Sequence, residues 1–258
     1  MKLYFAWADP EQYYNNLIKQ WVSRMLITYY HQRKNKKEIN PAKIDMLLDS
    51  WAFTAFTQNK NLDTQEYIKF LKKNKNRFTL YAWLDVIWNA EATLKNQKIL
   101  DKSWLKAFPT YHLWSPVKYF HDMVEKYDYI WLWWMVPHST NPKKIEAFLD
   151  YCFHYIKKKW LKTKVHWWWM TNPRLMLKYP FYSVDSTSWL STYKFNRVAF
   201  FKNNKLWWYD REAAKKIWID FWKLHYLDRW NYTIKAYIEL EKYITNIHKA
   251  KKMDYYNN

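Results

Sequence analysis

The chain predicts an α/β fold: a single (β/α)8 TIM barrel with a short C-terminal helical extension. Three observations point there. Eight strand-like apolar runs recur along 258 residues, helix starts stand between several of them, and one such barrel takes about 250 residues. Alternating strand and helix implies a parallel sheet with right-handed crossovers, and eight units close a ring.

The runs fall at 2–6 (KLYFA), 24–30 (RMLITYY), 44–50 (IDMLLDS), 77–85 (RFTLYAWLD), 105–112 (LKAFPTYH), 127–134 (YDYIWLWW), 162–167 (KTKVHW) and 180–186 (PFYSVDS). Asp9-Pro10, Ser115-Pro116, Asn141-Pro142 and Asn172-Pro173 each place an N-cap before a proline at the first helical position. In LDTQEYIKFL, Asp63 and Glu66 have capping-box spacing. The polar, lysine-rich segment 31–43 is expected to be a surface insertion. Past residue 190 the pattern loosens and ends in an amphipathic stretch, 232–250, so 191–258 is expected to complete or extend the outer helices. No linker or short repeat divides residues 1–258, which read as one domain.

Composition adds an anomaly. A chain of this length ordinarily carries about 18 glycines; this one has no glycine and 20 tryptophans. In NLIKQWVSRM, LDKSWLKAF, YIKKKWLKTK and AAKKIWID a polar or basic helix end meets one Trp and then an apolar run. That is the C′ position, where a left-handed backbone favours Gly. Trp21, Trp104, Trp160 and Trp218 therefore read as helix-ending glycines, as when UGA encodes glycine but is rendered as tryptophan. Trp189 in DSTSWLSTY and Trp230 in LDRWNYT are excepted, because their settings are not glycine-like. Several of Trp21, Trp51, Trp104, Trp160 and Trp167 to Trp169 are expected to show positive φ or unusual exposure.

Net charge of +20 favours a polyanionic partner, with nucleic acid the natural candidate. Biased codon usage in an AT-rich genome also enriches Lys, Asn, Ile, Tyr and Phe. The single Cys152 excludes an internal disulfide framework and a multi-cysteine zinc site, and its setting, AFLDYCFHYI, suits a buried small hydrophobe. No apolar run approaches the ~20 residues of a membrane span, and the N-terminus lacks a signal-peptide apolar region. The expectation is a cytoplasmic protein without a membrane partner.

In such barrels chemistry sits at the strand C-termini. Asp49, Asp85, His112, the Trp133-Trp134 turn, His166 and Asp185 close six neighbouring runs. A single Asp there is ordinarily a helix cap or salt-bridge partner; three Asp and two His make a pattern. Paired carboxylates divide labour when their surroundings separate their pKa values. Trp167, Trp168 and Trp169, read as glycines, turn VHWWWMTNP into a strand, a glycine turn and a capped helix, a phosphate site to which His166 is assigned.

With those glycines, LLDSWAFTAF resembles the DSGGF-type motif of tRNA-guanine transglycosylases. YIWLWWM is similar to their glycine-rich base-binding loop, and SVDSTSW to the motif that supplies their nucleophile. The resemblance spans about residues 44 to 190 in the family's order. It implies a pentosyltransferase in which Asp185 attacks the ribose C1′, expels guanine and leaves a covalent glycosyl-enzyme. Asp49 would be the general base for the incoming base, and Asp85 would bind the ring's pyrimidine edge. Trp133 and Trp134 would offer backbone to that base, with Ser50, Trp51 and His112 around it. No metal or cofactor is implied. The bacterial tRNA enzymes carry a zinc site of three cysteines and one histidine, which one cysteine cannot build. The shorter, zinc-free relatives that insert 7-deazaguanines into DNA, often in phages, are the nearer likeness, and DNA is favoured over tRNA. Two other readings stay open: a non-catalytic basic, aromatic nucleic-acid-binding protein, and a barrel hydrolase of N-glycosidic bonds.

Overall fold

The computed structural model describes residues 1–33, 44–57, 62–87, 89–105, 107–133, 141–169, 171–216 and 225–253. Within them the chain is α/β: a nearly closed, barrel-like parallel sheet of nine strands with surrounding helices, consistent with a TIM-type barrel. The strands are β1 (Lys2–Ala6), β2 (Arg24–Thr28), β3 (Asp45–Asp49), β4 (Leu80–Ala82), β5 (Ala107–Phe108), β6 (Thr110–His112), β7 (Tyr129–Trp133), β8 (Lys164–Trp167) and β9 (Ser183–Ser186). β1 pairs in parallel with both β2 and β9, joining the first strand to the last.

The count exceeds eight because the expected run 105–112 divides at Pro109. Proline has no N–H for the ladder, so β5 pairs with β4, β6 pairs with β7, and only carbonyls bridge the break. Phe108 O accepts from Trp83 N at 3.1 Å on one side, and Pro109 O accepts from Trp131 N at 2.8 Å on the other.

The helices are α1 (Glu11–Lys19), α2 (Tyr29–Gln32), α3 (Ala52–Thr57), α4 (Thr64–Asn74), α5 (Ala90–Lys102), α6 (Val117–Lys126), α7 (Pro142–Lys158) and α8 (Pro173–Lys178), followed by α9 (Ser191–Phe195), α10 (Arg211–Lys215) and α11 (Tyr226–Ala250). Asp63, Asn141 and Asn172 cap α4, α7 and α8, each accepting from backbone N–H groups of the first turn. The expected caps at Asp9 and Ser115 are not made. α1 and α6 follow Pro10 and Pro116 without a side-chain cap. The Asp9 carboxylate turns away to accept from Thr28 N at 2.9 Å, Thr28 Oγ1 at 3.2 Å and Gln32 Nε2 at 3.3 Å.

Beyond residue 190 the chain forms an antiparallel hairpin, β10 (Val198–Lys202) and β11 (Lys205–Tyr209). Asn203 and Asn204 at its tip have φ of 53° and 60°, as a type I′ turn requires. α11 packs on the hairpin, β1, α8 and α9. Glu241 accepts from Leu3 N at 3.1 Å and pairs with Arg24 at 2.7 Å. Trp189 and Trp230 are buried and stacked, with ring centroids 5.5 Å apart, and Trp189 Nε1 donates to Ala6 O at 2.9 Å. Both indoles are built into the core. No helix among the described residues is long and apolar enough to cross a membrane.

Six other tryptophans carry the left-handed backbone: Trp7, Trp21, Trp51, Trp104, Trp160 and Trp169, with φ between 53° and 63°. For a bulky residue such φ is a genuine outlier. Trp21, Trp104 and Trp160 end α1, α5 and α7 in paired closing bonds: Trp21 N to Ile18 O with Val22 N to Leu17 O, Trp104 N to Asp101 O with Leu105 N to Leu100 O, and Trp160 N to Lys157 O with Leu161 N to Ile156 O. This is the Schellman arrangement, whose C′ residue is usually Gly. Their indoles stand in solvent, 92%, 95% and 91% exposed. Trp167 departs from the expectation: it completes β8, is buried, and packs on Phe148 and Phe181. Trp218 lies outside the described residues.

Candidate active site

Period two along the strands decides what enters the barrel. Tyr4, Ala6, Leu26, Leu47, Ala82, Phe108, Tyr129 and Trp131 fill one interior cluster. Asp49 stands two residues beyond Leu47, Trp133 two beyond Trp131, and Asp185 two beyond Ser183, whose hydroxyl meets the Tyr129 phenol. These ends therefore share the inner face at the C-terminal mouth.

Asp49 is buried, and its Oδ1 accepts from Trp51 N at 2.9 Å. The positive φ of Trp51 makes that tight turn. Burial pushes the Asp49 carboxyl well above the usual carboxylate range; the Trp51 N–H opposes this, while Asp85, Asp185 and Asp9 add like charge. A neutral carboxyl is the form that can deliver a proton. Asp85 lies three residues past the end of β4 rather than within it, with Oδ2 3.3 Å from His112 Nε2, both side chains nearly buried. The His112 ring sits 4.7 Å from Trp114 and 4.9 Å from Trp133, centroid to centroid.

Asp185 is fully buried on β9. Its Oδ1 accepts from Trp169 N at 3.0 Å and lies 3.2 Å from His166 Nε2; among the described residues its Oδ2 has no hydrogen-bond partner. His166 is also fully buried, with Nδ1 2.7 Å from Ser183 Oγ. Both ring nitrogens are thus engaged inside the barrel, which corrects the phosphate assignment of His166. The buried Trp167 leaves that assignment too, so the expected glycine turn is reduced to Trp168 and Trp169. Trp169 carries the positive φ, and α8 starts just beyond at its Asn172 cap.

Asp49, Ser50, Trp51, Asp85, Thr110, Trp133, Trp168 and Trp169 line one cavity of about 10 Å³, room for roughly one water. Two carboxylates, Asp49 and Asp85, and four tryptophans thus border it. Trp134, also expected here, lies outside the described residues. Among the described residues no group of three or more His, Cys, Asp and Glu is placed to hold a metal ion. Cys152 is buried away from this mouth, where burial pushes its thiol up.

Sequence reasoning missed Asp9, taken for a helix cap, and Ser183. The second was legible, since S-V-D puts Ser183 and Asp185 on one face of a strand. Asp9 was not, because its donors Thr28 and Gln32 come from the next strand-helix unit.

No family model and no curated protein matches the chain. Among solved structures it is similar to a protein from Aquifex aeolicus VF5, described as a "Structural study of Project ID". The two are 10% identical, with 93% of this chain and 92% of that one covered and a TM-score of 0.50. That likeness concerns the fold alone.

Proposed function

We propose that the chain is a guanine transglycosylase on a single (β/α)8 barrel, exchanging guanine in a nucleic acid, DNA rather than tRNA, for a 7-deazaguanine base. The observation that carries the reading is the set of carboxylates at one barrel mouth, where Asp185 has Oδ1 held by donors and Oδ2 without a partner among the described residues. Oδ2 attacks C1′ as the C1′–N9 bond breaks. The bonding pair passes to N9 of guanine, which takes the proton of the neutral Asp49 carboxyl. The incoming base then returns its N9 proton to Asp49, and its N9 displaces Asp185 from C1′. Asp85 and His112 face the base, and no step needs a cofactor. The net charge of +20 suits a phosphate backbone.

The reading includes glycine at Trp51, Trp133, Trp134, Trp168 and Trp169. Positive φ at Trp51 and Trp169 supports it, as does a cavity that indoles reduce to about 10 Å³. With glycine there, the mouth opens to a planar base.

The test uses the full chain with glycine at those positions, DNA or tRNA, and labelled guanine. Denaturing gels are expected to show a covalent adduct that Asp185→Asn abolishes. Binding is expected to survive that change and to weaken with rising salt in both proteins. Asp49→Asn, whose amide can neither give guanine its proton nor take that of the incoming base, is expected to slow both formation and resolution of the adduct. Exchange undiminished in Asp185→Asn overturns the mechanism. Guanine release without exchange points to the hydrolase, and binding without adduct or exchange to the non-catalytic protein.

A further inference from the structure

Behind Asp185 runs a line of buried polar groups that the exchange reaction does not itself call for. The Tyr129 phenol lies 2.5 Å from Ser183 Oγ, Ser183 Oγ 2.7 Å from His166 Nδ1, and His166 Nε2 3.2 Å from Asp185 Oδ1. Tyr129, Ser183, His166 and Asp185 are each no more than 7% exposed. They come from β7, β8 and β9, three adjacent strands.

We infer that Tyr129, Ser183 and His166 form a relay that fixes the His166 tautomer, so that its Nε2–H donates to Asp185 Oδ1 and leaves Oδ2 as the one reacting oxygen.

The order of donors follows from what each end can do. A carboxylate only accepts, so His166 must present Nε2–H to Asp185. A neutral imidazole then has a bare Nδ1, which must accept, and the Ser183 hydroxyl supplies that proton. Ser183 oxygen in turn accepts from the Tyr129 O–H. Burial pushes the Tyr129 phenol up and so retains its proton. Burial also holds His166 below its ordinary value, against the pull of Asp185, which favours the neutral ring. Reversing the donors would set Nδ1–H against Ser183 and a bare Nε2 against the Asp185 carboxylate, two acceptors 3.2 Å apart in a site without water access. Trp169 N–H occupies Oδ1 as well, so both donors converge on one oxygen. His166 is accordingly a positioning residue. Its tautomer is independent of the proposed function, whereas its effect on a reaction rests on that reading.

Two measurements decide the matter. Nitrogen-15 NMR of the histidine-labelled full chain is expected to show His166 neutral with the proton on Nε2. Ser183→Ala is expected to shift Nδ1 by removing its hydrogen bond. A proton on Nδ1, or a charged ring, overturns the relay. In the glycine-bearing chain, His166→Leu is expected to slow adduct formation roughly 10–100-fold, the range for outer groups that orient a reacting ligand, with nucleic-acid affinity unchanged. His166→Gln, whose amide N–H can reach the same oxygen, is expected to recover most of that rate. Equal adduct rates in His166→Leu, His166→Gln and the parent overturn the positioning role. Absence of adduct in the parent defeats the transglycosylase reading instead and leaves the relay to the NMR result.

Discussion

A tryptophan at φ near +60° holds a Cβ against the backbone, at a cost of roughly 1–2 kcal/mol that glycine does not meet. Trp21, Trp104 and Trp160 meet that cost with their indoles in water, where little packing offsets it. Trp21→Gly, Trp104→Gly and Trp160→Gly are each expected to stabilise the fold by about 1 kcal/mol, nearly additively because the sites are far apart. Chemical denaturation checks this. Trp189→Gly and Trp230→Gly are expected to cost at least the roughly 3–5 kcal/mol of truncating a buried aromatic. Destabilisation by all five would remove the glycine reading. These positions were legible because a polar helix end followed by an apolar run marks C′ whatever residue occupies it. Trp167 was misread since three like residues in a row look like one turn, and sequence does not show that β8 runs through the first of them.

At the scale of elements, the strand runs were legible as buried apolar stretches, but their ends were not. The run 77–85 shrinks to Leu80–Ala82, and 24–30 yields its last residues to α2. Apolar character continues past the last ladder hydrogen bond, so it overstates strand length. Pro109 was visible in sequence, yet its effect depended on neighbours whose N–H groups could use the carbonyls on either side. Asparagine before proline proved a sounder cap signal than Asp9 or Ser115: Asn141 and Asn172 accept from first-turn N–H groups, whereas the Asp9 carboxylate is drawn to Thr28 and Gln32. Asn172→Ala is expected to cost about 1 kcal/mol, since Asn172 accepts from Arg174 N at 3.0 Å and Leu175 N at 3.4 Å at the start of α8. Denaturation of that variant beside Ser115→Ala, expected to change stability less, checks the assignment.

For the molecule as a whole, Asp49, buried in a mouth that also holds Asp9, Asp85 and Asp185, ties stability to pH. Asp49 is raised by burial first and by its carboxylate neighbours after, so the folded chain holds that proton more tightly than the unfolded one, whose value is about 3.9. The contribution is full below about pH 4 and is lost as pH rises through the folded value. Asp49→Asn removes the ionisation. Its Tm is expected to exceed the parent's at pH 7.5 and to fall less between pH 4.5 and 7.5, by calorimetry at both values. Asp49, Asp85 and Asp185 were legible together, as strand ends at one barrel mouth. Their mutual influence was not, because closeness across β1, β3 and β9 exists only once the sheet curls.

The three exposed indoles also have a direction. Trp21, Trp104 and Trp160 lie in the turns that enter β2, β5 and β8, so all stand on the rim opposite the mouth, spread about a third of the ring apart. Tryptophan there makes that rim apolar at three separate points, and glycine would return each to the basic or polar helix end beside it.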